Sequence, residues 1–467
     1  MTQTRLIKWQ RNRHWIWMAM LVVTLFSAGC STVQVQRAAT IPAAAVINPT
    51  FARAGDLARQ DATLSGQSQQ DNHARIAQLL AGLDNPTLAR EAAALPEGDP
   101  LYNFAGHALL NRGLPLPRPF DRGNALFAAG NRPPADRDGY RPPVKLGVLL
   151  PLSGALSKAA VPVRDGLLAG YYGESRRRPE IVFYDTAGTP DGAIAAYKRA
   201  VSEGADYAVG PLGRDEVSAL FHESLTVPVL ALNRGNVPPP AGSTSFSLAP
   251  EDDGIAAAEF LLARNARHVL VLGDDSLSRA VSAFTEHLKQ RGGDVAIVNV
   301  AAKPGDMGAA LQAATQKPGG GDAVFLALKP TQARALAPQL AAAGLAGKPR
   351  VSTSQLASSD DSAANRVLDG IAFPSEAWNV SNVPGLPSPE AAAKTLPSAR
   401  GGAARLFAFG HDAWLLTAYL ERLATQADGN VQGATGTLRL DGFGNVARTP
   451  AWSTFSGGNV VPFGSAP

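Results

Sequence analysis

A histidine stands directly before an aspartate at His411–Asp412, a pairing that could move a proton, and His73, His107, His222, His268 and His287 are further candidates for acid–base or metal chemistry. These five are scattered, with no pair at metal-ligand spacing. Adjacent helical residues point about 100° apart, so His411–Asp412 reads as structural, with the aspartate as a helix-start cap. No G-x-S-x-G elbow, H-E-x-x-H pair or phosphate loop occurs. "GFGNVA" at Gly442–Ala447 spells a dinucleotide fingerprint, but that motif must close a first βα turn. Here Asp-Gly and Gly-Asn between strand-like runs predict a hairpin turn. Neither catalytic residues nor a cofactor nor a metal site is expected.

The one residue with marked covalent potential is Cys30, the sole cysteine. Upstream lie Arg5, Lys8, Arg11 and Arg13, then the apolar run "WIWMAMLVVTLFSAG". A basic start, an apolar stretch of about 15 residues and small residues before the cysteine describe a secretory signal peptide. The alternative is an uncleaved anchor, but the run is shorter than the ~20 residues a spanning helix needs. Ser27, Ala28 and Gly29 resemble a bacterial lipobox, which implies lipidation of Cys30 after cleavage. Ser27 stands where that signal prefers leucine. Several acyl chains on one residue give stable anchoring where one is marginal. Ser31, rather than an aspartate, follows the cysteine, so the expected place is the periplasmic face of the outer membrane. Without other cysteines, folding there proceeds without disulfides.

The elements that carry these residues alternate in type along the chain. After a signal peptide at 1–29 and a lipidated tether at 30–48, residues 49–112 read as short amphipathic helices. A Pro-, Gly- and Arg-rich stretch, 113–143, reads as a linker or an extended wrap. From Val144 onward, apolar runs such as "KLGVLL", "YAV" and "HVLVLG" alternate with helical patterns. That alternation predicts α/β architecture: two doubly wound parallel-sheet lobes, covered on both faces, preceded by the short helical region. The expected first lobe spans about 144–240 plus returning segments, the second about 245–350, within a bilobed unit 144–467. The chain closes with a helix over "RLFAFGHDAWLLTAYLERLA" and a hairpin over "ATGTLRLDGFGNVAR". The net charge of +4 shrinks once the signal peptide is removed, and "SRRRP" at Ser175–Pro179 reads as a solvated helix end. Nothing calls for nucleic acid.

The two-lobed pattern resembles type I periplasmic binding proteins. "VKLGVLLPLSGALSKAAVPVRDGLLAGYY", "EIVFYDTAG", "YAVGPLGRDEVSAL", "VPVLALNR", "FSLAPEDDG", "LDGIAFPSEAW" and "RLFAFGHDAWLL" occur in this order before the closing hairpin. The set resembles the carboxyl-terminal domain of the LpoA family of penicillin-binding protein activators. The resemblance implies an outer-membrane lipoprotein without catalysis, whose partner is a bifunctional class A penicillin-binding protein. Peptidoglycan is a further contact, and stimulated peptide cross-linking is the outcome. The family's larger helical domain is reduced here, so the Pro-rich stretch is expected to serve as a spacer. The alternative is the solute-binding lipoprotein of an ABC importer for amino acids or small peptides.

Ligands in this fold sit between the lobes, at the carboxyl ends of the strands. The candidate cleft residues are Ser153 and Ser157 in the first loop, Asp185 in the second, Gly213, Arg214 and Asp215 in the third, and Asn233 and Arg234 in the fourth. Asp215 and Glu216 can cap their own helix, which predicts a self-satisfied and empty or weakly binding anion site. Arg214 is left as the group that could receive an acid.

Overall fold

The structure is a computed structural model that describes residues 47–121, 132–317, 321–358 and 361–464. The signal peptide, Cys30 and the tether up to residue 46 lie outside the described residues.

Four helices open the described chain: α1 (Pro49–Gln60), α2 (Gly66–Ala81), α3 (Asn85–Ala94) and α4 (Pro100–Leu110). Three of them start on side-chain caps that precede a proline. Asn48 accepts from the backbone of Thr50 and Phe51, Asp84 from Thr87, and Asp99 from Leu101. The cap satisfies donors that a first turn leaves open, and proline tolerates the position because it has no N–H to lose. Phe51, Ile76, Leu80, Leu88, Leu101 and Leu109 form the buried interior of this unit.

The first sheet is parallel, in the order β2 (Glu180–Asp185), β1 (Lys145–Leu150), β3 (Tyr207–Val209), β4 (Val229–Ala231), β5 (Thr244–Ser245). Helices α5 (Ser157–Gly173), α6 (Pro190–Ser202) and α7 (Arg214–Phe221) connect its strands. The second sheet runs β7 (Asp294–Asn299), β6 (His268–Gly273), β8 (Ala323–Ala327), β9 (Arg350–Ser352), β10 (Ala372–Ser375), so its parallel part repeats the winding of the first. Its connecting helices include α8 (Pro250–Leu262), α9 (Ser278–Gln290), α10 (Gly308–Thr315) and α11 (Pro330–Ala342). Strands β1, β6 and β8 are almost wholly buried, which explains why their sequences are continuous rather than alternating.

The chain then returns to the first lobe. Helix α12 (Ala403–Thr425) packs along α5, and the two backbones touch through glycine. A Cβ on Gly166 would lie 1.8 Å from the Phe407 carbonyl, and one on Gly410 would lie 1.9 Å from that of Val163. Strands β11 (Val431–Gln432), β12 (Thr437–Leu440) and β13 (Val446–Thr449) form a small antiparallel sheet. The last hairpin, β14 (Ala451–Ser456) and β15 (Asn459–Pro462), crosses back and extends the second sheet antiparallel beyond β10.

Three expectations change. The second sheet takes strands from beyond residue 350 and from the chain's last segment, because β14 and β15 are short mixed runs without a continuous apolar signature. His411–Asp412 sits inside α12, not at a helix start. The described part of the Pro-rich stretch is a wrap and not a spacer. Tyr140 enters the first lobe's core, and the Arg141 N–H donates to the Ala418 carbonyl at 2.8 Å. Arg141 also pairs with Glu421 at 2.8 Å, and Arg132 with Asp206 at 2.9 Å.

Candidate functional site

The loops at the strand ends of the first lobe are tied to one another. Asp185, closing β2, accepts from the N–H groups of Leu152 (2.9 Å), Ser153 (3.2 Å) and Ala187 (2.8 Å), and from the Ser153 hydroxyl (2.6 Å). Burial alone would raise the Asp185 carboxyl, but these hydrogen bonds outweigh it and hold the group below its ordinary range. The Ser157 hydroxyl donates to the Gly154 carbonyl at 2.8 Å. Asn233 Nδ2 donates to the Leu212 carbonyl at 3.0 Å, joining the third and fourth loops.

At the start of α7 the expected self-capping is made by Glu216 alone. Its Oε2 accepts from the Gly213 N–H at 2.7 Å, and its side chain is buried, which pushes the carboxyl up. Arg214 and Asp215 are exposed. Of the predicted cleft residues, Ser157 lines a cavity of about 260 Å³ with Arg164 and Phe183. Ser153 and Asp185 are brought together as a loop tie. Gly213 and Asn233 serve turns, and Arg234 alone reaches the other lobe.

Arg234 leads to a charged seam that the sequence reading missed. Its Nη2 binds Oδ1 of Asp252, in the first turn of α8, at 2.9 Å. The neighbouring Asp253 accepts from the Ser354 N–H at 3.0 Å and from the Ser354 hydroxyl. Arg405, at the start of α12, and Arg448, in β13, each approach Asp253 Oδ1 to 3.5 Å. Arg405 also lies 3.0 Å from Glu376, which follows β10. The side chains of Asp253 and Arg448 are only 4% and 2% exposed, so the centre of this network is buried, while Arg234 and Arg405 at its edge are partly exposed. Burial pushes the Asp252 carboxyl up, against the opposing pull of Arg234 and Arg448. Arginines from the first lobe and its returning segments thus meet carboxylates from the second, and the charges on the two sides balance. Glu251, Asp252 and Asp253 at a helix start were the visible signal, since acids there complement the helix dipole. Their arginine partners lie far along the chain and gave none.

Deeper in the second lobe, Asp274 closes β6 as Asp185 closes β2. Hydrogen bonds from Ser276 and Gln332 hold its carboxyl down to about 2. Asp412 plays a similar part under α12. Its carboxylate accepts from the N–H groups of Ala434 (2.6 Å) and Thr435 (2.7 Å) and from the Thr435 hydroxyl (2.6 Å). With His411 Nδ1 3.2 Å from its Oδ1, this buried carboxylate ties α12 to the 433–435 loop.

A second junction joins the helical unit to the α/β lobes. Phe443, at the β12–β13 turn, packs on Phe104 with ring centroids 4.8 Å apart, and on His107 at 5.9 Å. Asn103 Nδ2 donates to the Gly442 carbonyl at 2.8 Å. The Asp441 carboxylate accepts from the N–H groups of Phe443 and Asn445, so "DGFGN" is a hairpin turn with an aromatic plug. Beside it, His287 binds Glu259, which also pairs with Arg291 at 3.0 Å. Burial pushes the His107 imidazole below its ordinary value. Asp441 opposes that shift and His287 adds to it. Among the described residues no cluster of His, Cys, Asp and Glu could hold a metal, and no helix is long and apolar enough to cross a membrane.

Comparison with known proteins addresses the same segments. The family described as "LppC putative lipoprotein" matches residues 140–458. A penicillin-binding protein activator LpoA from Photobacterium profundum is 27% identical over 356 residues, covering 68% of this chain and 56% of that protein. Its counterpart from Mannheimia succiniciproducens is 27% identical over 333 residues, covering 68% and 55%. The chain therefore spans just over half the length of these curated relatives. Among solved structures, the C-domain of LpoA from Haemophilus influenzae superposes with a TM-score of 0.58 at 22% identity, over 68% of this chain and 99% of that one. Full-length LpoA from that organism gives 0.59 at 19% identity, over 88% and 78%. A "putative branched-chain amino acid ABC transporter" from Chromobacterium violaceum gives 0.55 at 30% identity, over 67% and 100%.

Proposed function

Because this chain belongs to the LppC lipoprotein family, we propose that it is a non-catalytic regulator that binds and activates a penicillin-binding protein. The partner in this reading is a bifunctional class A synthase, and the output is more peptide cross-linking. Cys30 carries the lipid, and the outer membrane holds the protein on its periplasmic side. The observation that carries the reading is the match over 140–458 together with relatives named as activators. The seam supports it physically. Between the lobes, Arg234, Arg405 and Arg448 are already engaged by carboxylates of the same chain. Activation then works by tighter binding to the partner's active conformation, which shifts its population.

The test mixes the lipidated chain in detergent with class A penicillin-binding proteins of its own organism, one at a time, and follows cross-linked muropeptides made from lipid II. A rise with one synthase supports the proposal; no rise with any contradicts it. A second reading, a solute-binding component of an ABC importer, is favoured by the 30% identity to the Chromobacterium protein. That reading expects an amino acid or short peptide to raise the thermal midpoint, whereas the activator reading expects no such response.

A further inference from the structure

Between α2 of the helical unit and α9 of the second lobe runs a groove of about 930 Å³. This lies at the upper end of the 300–1,000 Å³ range of small-molecule sites, but the groove is open along the surface and has two distinct walls. One is apolar. Val281 and Ile297 face it, and Ile297 is 50% exposed, a large hydrophobic side chain left uncovered beside charged neighbours. The other is cationic. Arg75, Lys289 and Arg291 line it against a single carboxylate, Glu286.

The charges are unequal in their commitments. Arg291 pairs with Glu259, and Glu286 accepts from Gln290 Nε2 at 3.2 Å. Arg75 and Lys289 are exposed and have no ion-pair partner among the described residues. Behind this wall Arg112, which donates into the carbonyls of Leu80, Ala81 and Leu83, feels Arg291 as a like charge. The groove therefore presents a positive field next to an uncovered aliphatic surface.

We propose that this groove is the docking site for an acidic protein segment that carries an apolar anchor residue. Carboxylates of the segment meet Arg75 and Lys289, and its anchor covers Ile297 and Val281. Amphipathic segments laid in apolar grooves and acidic motifs met by basic side chains are both established modes of recognition. Unpaired cations beside it steer the encounter. Because α2 belongs to the helical segment and α9 to the second lobe, an occupant contacts both. The inference rests on the activator reading, in which the segment belongs to the penicillin-binding protein.

The experiment measures binding of the lipidated chain in detergent to each class A penicillin-binding protein, for the wild type, for Arg75→Glu/Lys289→Glu, and for Ser282→Trp. The last variant fills the groove from an exposed position without changing charge. A thermal midpoint equal to wild type shows that each variant folds. The expected result is a loss of affinity of at least about tenfold in both variants, with weaker salt dependence in the charge-reversed one. Wild-type binding that both variants retain in full overturns the groove and leaves the activator reading standing. No binding of any synthase by the wild type overturns both. Muropeptide binding by the wild type that both variants lose, with synthase binding unchanged, assigns the groove to peptidoglycan and overturns the proposal.

Discussion

The interlobe seam and the helical junction join compact parts of one chain in opposite ways. The seam is buried at its centre, charge-balanced and shared by four segments of the sequence that meet at Asp253. The junction is an aromatic contact around one turn, flanked by an open groove. A buried ion network is costly to break once formed, because removing one partner leaves the others uncompensated. A small, partly buried aromatic contact can open with less loss elsewhere. On this contrast the lobes are expected to be the more rigid part and the helical unit the part that opens first. A clamp that closes on solutes would need the reverse.

Four changes sharpen or break this contrast. The largest effect is expected for Asp253→Ala, which leaves the buried Arg448 without a carboxylate and unties Ser354, and should cost about 3–5 kcal/mol in chemical denaturation. A loss under about 1 kcal/mol would show that the seam holds little. Next, Asp412→Asn weakens the grip on Ala434 and Thr435 and should cost about 1–3 kcal/mol by the same measurement. Phe443→Ala should act locally. Amide exchange is expected to rise in α2 and α4 while β1, β6 and β8 stay protected, at a cost of about 1–2 kcal/mol. Equal deprotection of the sheets would erase the distinction between the junctions.

The smallest effect is pH dependence at His107. Its imidazole is held below the unfolded value of about 6.5, so the undocked state binds the proton more readily. The associated stability is full above that pH and falls as the pH drops toward the folded value. Exchange in α4 should therefore rise below about pH 6.5 and flatten in His107→Leu. Asp441 and His287 face the same imidazole and shift its folded value in opposite directions.

The alternation of buried strands and amphipathic helices made the doubly wound lobes readable in advance, because β1 and β6 carry their burial in their composition. Apolar residues at three- and four-residue spacing announced the helical unit in the same way. What stayed hidden depended on contacts distant in sequence. Arg405 and Arg448 look like ordinary surface residues until the fold brings them to Asp253. "AWSTFS" lacks a strand signature because its pairing partner, β10, supplies the environment. The Pro-rich wrap was legible as extended chain, but its docking on α12 through Tyr140 and Arg141 was not. Of the candidate cleft, only Arg234 proved to span the lobes, since the loop residues satisfy one another.

The most direct test of a rigid, scaffold-like regulator is the distance between the lobes during activation. Spin labels at the exposed Lys158 and Lys317, one on each lobe, report it by pulsed electron resonance. The account predicts one narrow distance distribution, unchanged by an amino-acid mixture and unchanged when a synthase is bound and its cross-linking stimulated. Two populations that exchange on adding a small solute, with no stimulation of any synthase, would contradict it.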